Sequence, residues 1–185
     1  PKSDIKIGVI SFDGKSQIAQ SMTSDREAVI EALRLLPRSG STNLAAGINS
    51  ALAELKRNGR PGSSRVIMLF TDGMSNKNKA YDAAVEATKN GVTIQTLMLG
   101  KNSKGTKILD TIAWATGGSF LPVSDPSELP AAFLNLRTTG VDSVMLSVNG
   151  SAPIAARLAG GTFAGSLPVE IGENRIVAFA TSLDG

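Results

Sequence analysis

Val66-Ile67-Met68-Leu69-Phe70-Thr71-Asp72-Gly73 is an unbroken apolar run closed by a polar turn. That pattern suits a central parallel strand covered on both faces. Helical patterns flank it. Upstream, Asn43 to Asn58 carries Leu44, Ile48, Ala51, Leu52 and Leu55 at helical spacing, before Gly59, Pro61 and Gly62 break the chain. Downstream, a helix is expected over about Lys79 to Asn90, with Gly91 just past its end. Val92 to Leu99 then reads as a strand, Lys107 to Thr116 as a helix stopped by Gly117-Gly118, and Phe120 to Val123 as a short strand. Asp125-Pro126-Ser127-Glu128 supplies a cap, a first-turn proline and a carboxylate for a last helix carrying Leu129, Phe133 and Leu136 inward.

Toward the N-terminus, Asp4 to Phe12 reads as a strand, Asp13-Gly14 as a turn, and Gln17 to Met22 as an alternating edge strand, together a hairpin. Ser24-Asp25-Arg26-Glu27 reads as a capping box opening a helix to about Leu36, with Val29, Ile30, Leu33 and Leu36 on one face. The alternation up to about Gly140 argues for an α/β domain with a doubly wound, mostly parallel sheet flanked by helices. After Gly140 the texture turns all-β. Val141 to Val148 is strand-like, Asn149-Gly150 signals a hairpin, and Thr162-Phe163, Leu167-Pro168-Val169 and Asn174 to Ala180 read as further strands.

Composition narrows the chemistry. The 185 residues are 42% hydrophobic, enough for a sizeable core. There is no cysteine, which removes disulfides, thiolate metal sites and thiol nucleophiles. There is no histidine, which removes the commonest general base and most zinc sites. An enzyme is therefore not expected. Net charge is +3 with scattered cations, and aromatics are only 4%, so nucleic acid is not an expected partner. No apolar run is long enough to span a membrane. Gly14-Lys15-Ser16 imitates the end of a phosphate loop, but Gly8 is one residue too far away and no helix follows.

Two loops remain as a candidate site. Ligands of open α/β sheets sit beyond the carboxyl ends of the strands. Asp72 lies at such an end, and Thr42 lies at a helix start facing the same crevice. A hydroxyl and a carboxylate are hard oxygen donors, suited to Mg2+, Mn2+ or Ca2+. Two donors are too few to hold such an ion tightly. Ser41, Asn43, Gly73, Ser75 and Asn76 would shape the surrounding ligand-binding surface, with Lys77 and Lys79 adding charge. Each motif alone also fits ordinary turn and capping chemistry.

Residues 4–137 resemble a von Willebrand factor A domain. The resemblance is carried by Lys6 to Phe12, Gly40-Ser41-Thr42-Asn43, Val66 to Gly73, Gly91-Val92-Thr93-Ile94 and Ala115-Thr116-Gly117-Gly118-Ser119-Phe120. It implies a metal-ion-dependent adhesion site in which Thr42 and Asp72 are the threonine and the further aspartate. An Asp-x-Ser-x-Ser motif would supply the other ligands, and an acidic side chain of a protein partner would complete the shell. That motif, and the family's first strand and first helix, have no counterpart in this sequence. The resemblance places the strand between Ile5–Phe12 and Val66–Thr71. The expectation is therefore two unpaired strand edges, filled by further residues of the same protein, a separately cleaved piece or a strand from a partner chain. The tail resembles a bacterial immunoglobulin-like module through Val148-Asn149-Gly150, Gly161-Thr162-Phe163 and Leu167 to Ile176. The expected domains are 1–139, incomplete at its N-terminus, and 140–185, cut short. The expected role is cation-dependent protein binding or adhesion at a bacterial cell surface or outside the cell. The alternatives are a metal-independent structural scaffold or surface-assembly subunit and, last, a metal-assisted hydrolase.

Overall fold

The computed structural model describes residues 5–37, 41–72, 76–100, 103–135, 141–159 and 162–182. Strands β1 (Ile7–Phe12) and β2 (Ser16–Thr23) form the expected antiparallel hairpin, with Phe12 opposite Ser16. Its turn is tied by the Lys15 amide, which donates to Asp13 Oδ1 at 2.8 Å. Helix α1 spans Arg26–Arg34, but its cap is Asp25, not the Ser24-to-Glu27 box. The Asp25 carboxylate accepts from the amides of Glu27 and Ala28 at 3.0 and 3.2 Å, a position the longer Ser24 frame cannot share. The buried face of α1 is Val29 and Ala32, whereas Ile30 and Leu33, expected inward, are exposed.

The remaining elements alternate. They are α2 (Leu44–Asn58), β3 (Arg65–Thr71), α3 (Lys77–Lys89), β4 (Val92–Leu99), α4 (Ser103–Ala115) and β5 (Phe120–Val123). A 3-10 turn (Pro126–Glu128) and α5 (Leu129–Asn135) follow. Strands β3, β4 and β5 are parallel and in that order, with Leu69 opposite Thr96 and Leu97 opposite Leu121. One face of this sheet meets α2, α3 and α4 in the main core. That core includes Leu44, Ile48, Ile67, Leu69, Ile94, Met98, Leu109 and Ile112. Each large side chain buried there contributes on the order of 1.5–3 kcal/mol. Thr116 closes the α4–β5 connection from inside: the Ile94 amide donates to its hydroxyl at 3.0 Å. Gly118 lies so near the Ile94 carbonyl that a Cβ there would collide with it. The Thr-Gly-Gly sequence is thus a packing requirement.

Three expectations need correction here. Strand β3 is not covered on both faces: burial alternates, and Met68 and Phe70 are 40% and 38% exposed on the side away from the main core. Helix α4 starts a turn earlier than its apolar pattern suggests, because Ser103 to Thr106 extend it without adding apolar period. On α5, Leu129 and Ala132 pack against Leu97 and Val123, whereas Phe133 is exposed and Leu136 lies outside the described residues.

The sheet is split. Among the described residues β1 pairs only with β2, and β3 only with β4, so the hairpin and the parallel sheet share no ladder. This matches the expected pair of open strand edges. Helix α2 packs on both pieces.

The tail begins with β6 (Val141–Val148), then β7 (Ile154–Ala155), β8 (Arg157–Ala159), β9 (Thr162–Ala164) and β10 (Ile176–Ser182). The order β10-β6-β7 is antiparallel, with Val144, Leu146 and Val148 buried, and β8 pairs with β9. This fits an all-β tail in part. Leu167-Pro168-Val169 forms no strand, consistent with a proline that cannot donate to a ladder. The Asn149-Gly150 turn forms, both residues having positive φ, 51° and 78°. The Asn149 side chain accepts from the Arg175 amide and donates to Asn174, tying the turn to the start of β10.

Candidate functional site

Helix α2 fixes which strand ends meet. Along it, Asn43, Gly47, Ser50 and Glu54 recur at helical spacing and each touches the hairpin. Asn43 Nδ2 donates to the Gly14 carbonyl at 3.2 Å. Gly47 lies beneath the Phe12 ring, where a Cβ would come within 2.9 Å. The hydroxyls of Ser50 and Ser16 are 2.6 Å apart, and Glu54 Oε1 accepts from the Met22 amide at 2.9 Å. Strand β1 therefore ends beside the N-terminus of α2. Strand β3 starts just after the C-terminus of α2 and runs back along it, so it too ends at that rim. Both strands run parallel, and their carboxyl ends share a rim with the start of α2.

Topology thus places Thr42 and Asp72 on one rim. Thr42 is half-buried just before the α2 cap, and Asp72 is exposed in the bend after β3. Ser41 faces the hairpin turn: a Cβ on Gly14 would lie 3.2 Å from its hydroxyl. Asn43 and Asn76 are engaged as helix caps, their side chains accepting from the amides of Ala46 and Lys79 at 3.1 and 3.3 Å. Both brace their loops, and the Asn43 amide is used as well, on the Gly14 carbonyl. Gly73 and Ser75 lie outside the described residues. The donors have the right chemistry for a hard cation but are too few. Among the described residues no group of three or more carboxylates, histidines or cysteines could hold a metal.

Sequence reading missed Glu54. It is 3% exposed, and its Oε2 has no hydrogen-bond partner among the described residues. The Asn58 amide, first, and then the Met22 N–H hold its carboxyl below the usual carboxylate range, with Arg57 and Ser21 assisting, while burial opposes them. The signal was available as the row 43, 47, 50, 54. It lies beside the apolar stripe of Leu44, Ile48, Ala51, Leu52 and Leu55.

An α/β sheet with caps and loops gathered at the carboxyl rim defines the class of protein. Within that class, the chain belongs to the von Willebrand factor type A domain family, whose profile matches residues 2–135. No curated protein matches the chain. Solved structures share its fold. A von Willebrand factor type A protein from Catenulispora acidiphila is 16% identical with a TM-score of 0.67, covering 96% of this chain and 55% of its own. BatB from Bacteroides thetaiotaomicron is 20% identical with a TM-score of 0.59, covering 69% and 75%. Proximal thread matrix protein 1 from the mussel byssus, described with a zinc-occupied MIDAS motif, is 22% identical with a TM-score of 0.57. That match covers 69% of this chain and 33% of the mussel protein. The chain thus spans little more than half of the first of these proteins and a third of the last. At these identities the likeness is one of fold.

Proposed function

We propose that this chain is a protein-binding module whose carboxyl rim takes a divalent cation, Mg2+ or else Mn2+ or Ca2+. Thr42 and Asp72 would be ligands, and the surface of Ser41, Asn43, Gly73, Ser75 and Asn76 would surround them. The remaining protein ligands come from a strand supplied by other residues of the same protein or by a partner chain. An acidic side chain of the bound protein closes the shell. The carrying observation is that α2 brings the loop before it and the end of β3 to one rim. The mussel relative, whose motif holds zinc, supports the cation. The lack of histidine and cysteine supports a binding role over catalysis. A location at the cell surface or outside a bacterium fits the byssal matrix origin of that relative. No helix of the described residues is long and apolar enough to cross a membrane. Residues 1–139 form the binding unit, and 140–185 an immunoglobulin-like spacer.

The test is Mn2+ binding to the full-length protein, read by water-proton relaxation. Saturable binding lost in Asp72→Ala and weakened in Thr42→Ala is expected. Identical binding in wild type and both variants would sink the cation reading. The shortage of ligands among the described residues keeps a second reading in play, a metal-independent scaffold. Partner binding untouched by chelator would select it.

A further inference from the structure

The sequence holds three Asn-Gly pairs, Asn58-Gly59, Asn90-Gly91 and Asn149-Gly150. Such a pair is prone to ring closure, because a glycine amide has no side chain to hinder its attack on the asparagine carboxamide. The attacking atom is the glycine nitrogen, so its hydrogen bonding separates the three. The Gly59 N–H donates to the Leu55 carbonyl and the Gly91 N–H to the Thr88 carbonyl, both at 3.0 Å. The Gly150 N–H has no partner among the described residues, and Asn149 and Gly150 are both exposed. The carboxamide that would be attacked is also set differently. Asn149 Oδ1 accepts the Arg175 N–H at 2.9 Å, so a donor already stands where negative charge develops as the ring closes. Asn149 Nδ2 donates to Asn174 Oδ1 at 3.0 Å. Asn174 cannot turn its amide round to suit a changed partner. Its Oδ1 accepts the Glu170 N–H at 3.0 Å, and its Nδ2 donates to the carbonyls of Glu170 and Gly172 at 2.8 and 3.1 Å.

We propose that Asn149 is a site of spontaneous deamidation, and that the modification unties the Asn149-Gly150 turn from the start of β10. The Gly150 nitrogen gives up its proton to solvent base and bonds to Cγ of Asn149. The Cγ–Nδ2 bond breaks, and ammonia leaves with a proton taken from water. The five-membered succinimide then adds one water at either carbonyl. One opening leaves aspartate at position 149, the other isoaspartate, whose main chain runs through the former side chain. The net change is one water taken up and one ammonia released. Either product puts a carboxylate oxygen where Nδ2 stood, so that an acceptor faces the pinned Asn174 oxygen. The donor between the turn and the loop before β10 is lost, and isoaspartate lengthens the chain within the turn as well. At Asn58 and Asn90 the glycine nitrogen must first break its own bond to a helix carbonyl. That requirement should slow them about fivefold to tenfold relative to Asn149.

The experiment is to age the full-length protein in mildly alkaline buffer, folded and in urea, and to follow each Asn-Gly pair by peptide mass spectrometry. In the folded protein Asn149 should convert well ahead of Asn58 and Asn90. In urea the three should convert at comparable rates, because the hydrogen bonds that separate them are gone. Equal rates in the folded protein, or Asn58 or Asn90 leading, would overturn the proposal. The same order persisting in urea would overturn it too, since sequence neighbours and not the fold would then set it. The consequence is read by amide exchange on the aged protein and on Asn149→Asp. Both should exchange faster at residues 170–176, with β3 and β4 unchanged. Unchanged exchange at 170–176 in both would show that the turn is not untied.

Discussion

The two flanks of α2 are built by different chemistry. Toward the parallel sheet it presents Leu44 and Ile48, 1% and 0% exposed, in a continuous apolar core. Toward the hairpin it presents Asn43, Gly47, Ser50 and Glu54, a row of polar contacts and one close approach. The first attachment is non-directional and scales with buried area. The second depends on particular donors, acceptors and the absence of a side chain, and tolerates substitution poorly for its size. One helix thus joins a robust interface to a specific one.

The largest effect should come from the apolar flank. Ile48→Ala should cost about 2–5 kcal/mol in global stability, measured by urea unfolding, because the cavity lies at the centre of the core. Gly47→Ala should cost about 1–3 kcal/mol, since the new methyl group meets the Phe12 ring. Its mark should be faster amide exchange in β1 and β2 with β4 little changed. Equal loosening of β4 would break the distinction between the flanks. Glu54→Ala leaves the Met22 amide without its acceptor and should cost about 1–3 kcal/mol, again localised to the hairpin. Asn43→Ala should cost about 0.5–2 kcal/mol through the lost cap, and should loosen the Gly14 turn as well.

The smallest effect is in pH. The folded-state pKa of Glu54 is depressed, so its stabilisation is complete above the ordinary carboxylate pKa and is lost as pH falls through the folded value. Urea midpoints taken between neutral and acid pH should fall less steeply in Glu54→Gln than in wild type. Parallel slopes would remove Glu54 as a contributor to acid sensitivity.

Legibility in the sequence followed the same divide. Strands β4 and β5 and helix α2 were placed closely, because apolar period and Gly or Pro stops report burial directly. Open edges on β1 and β3 were expected from the resemblance, and among the described residues β1 pairs only with β2 and β3 only with β4. What was lost depends on neighbours. Met68 and Phe70 are as apolar as Ile67 and Leu69, and nothing in their own stretch says that only one face is covered. Asp25 and Ser24 are both competent caps, and only geometry chose between them. Nothing in its own stretch marks Glu54 as buried, since its partner is the Met22 amide of β2, distant in sequence. The rim was legible as two loops, but Asn43 and Asn76 proved to be braces for those loops.

The split sheet has one more consequence, for the rim itself. In a continuous sheet, hydrogen-bonded registry fixes the spacing of neighbouring strand ends. Here the end of β1 is registered to the end of β3 through the seating of a helix. A small rotation or slide of α2 carries the hairpin turn and the loop at Ser41–Thr42 with it, while Asp72 stays with the parallel sheet. The placing of the Ser41–Thr42 loop against Asp72 therefore depends on how firmly Glu54, Ser50 and Gly47 keep their places.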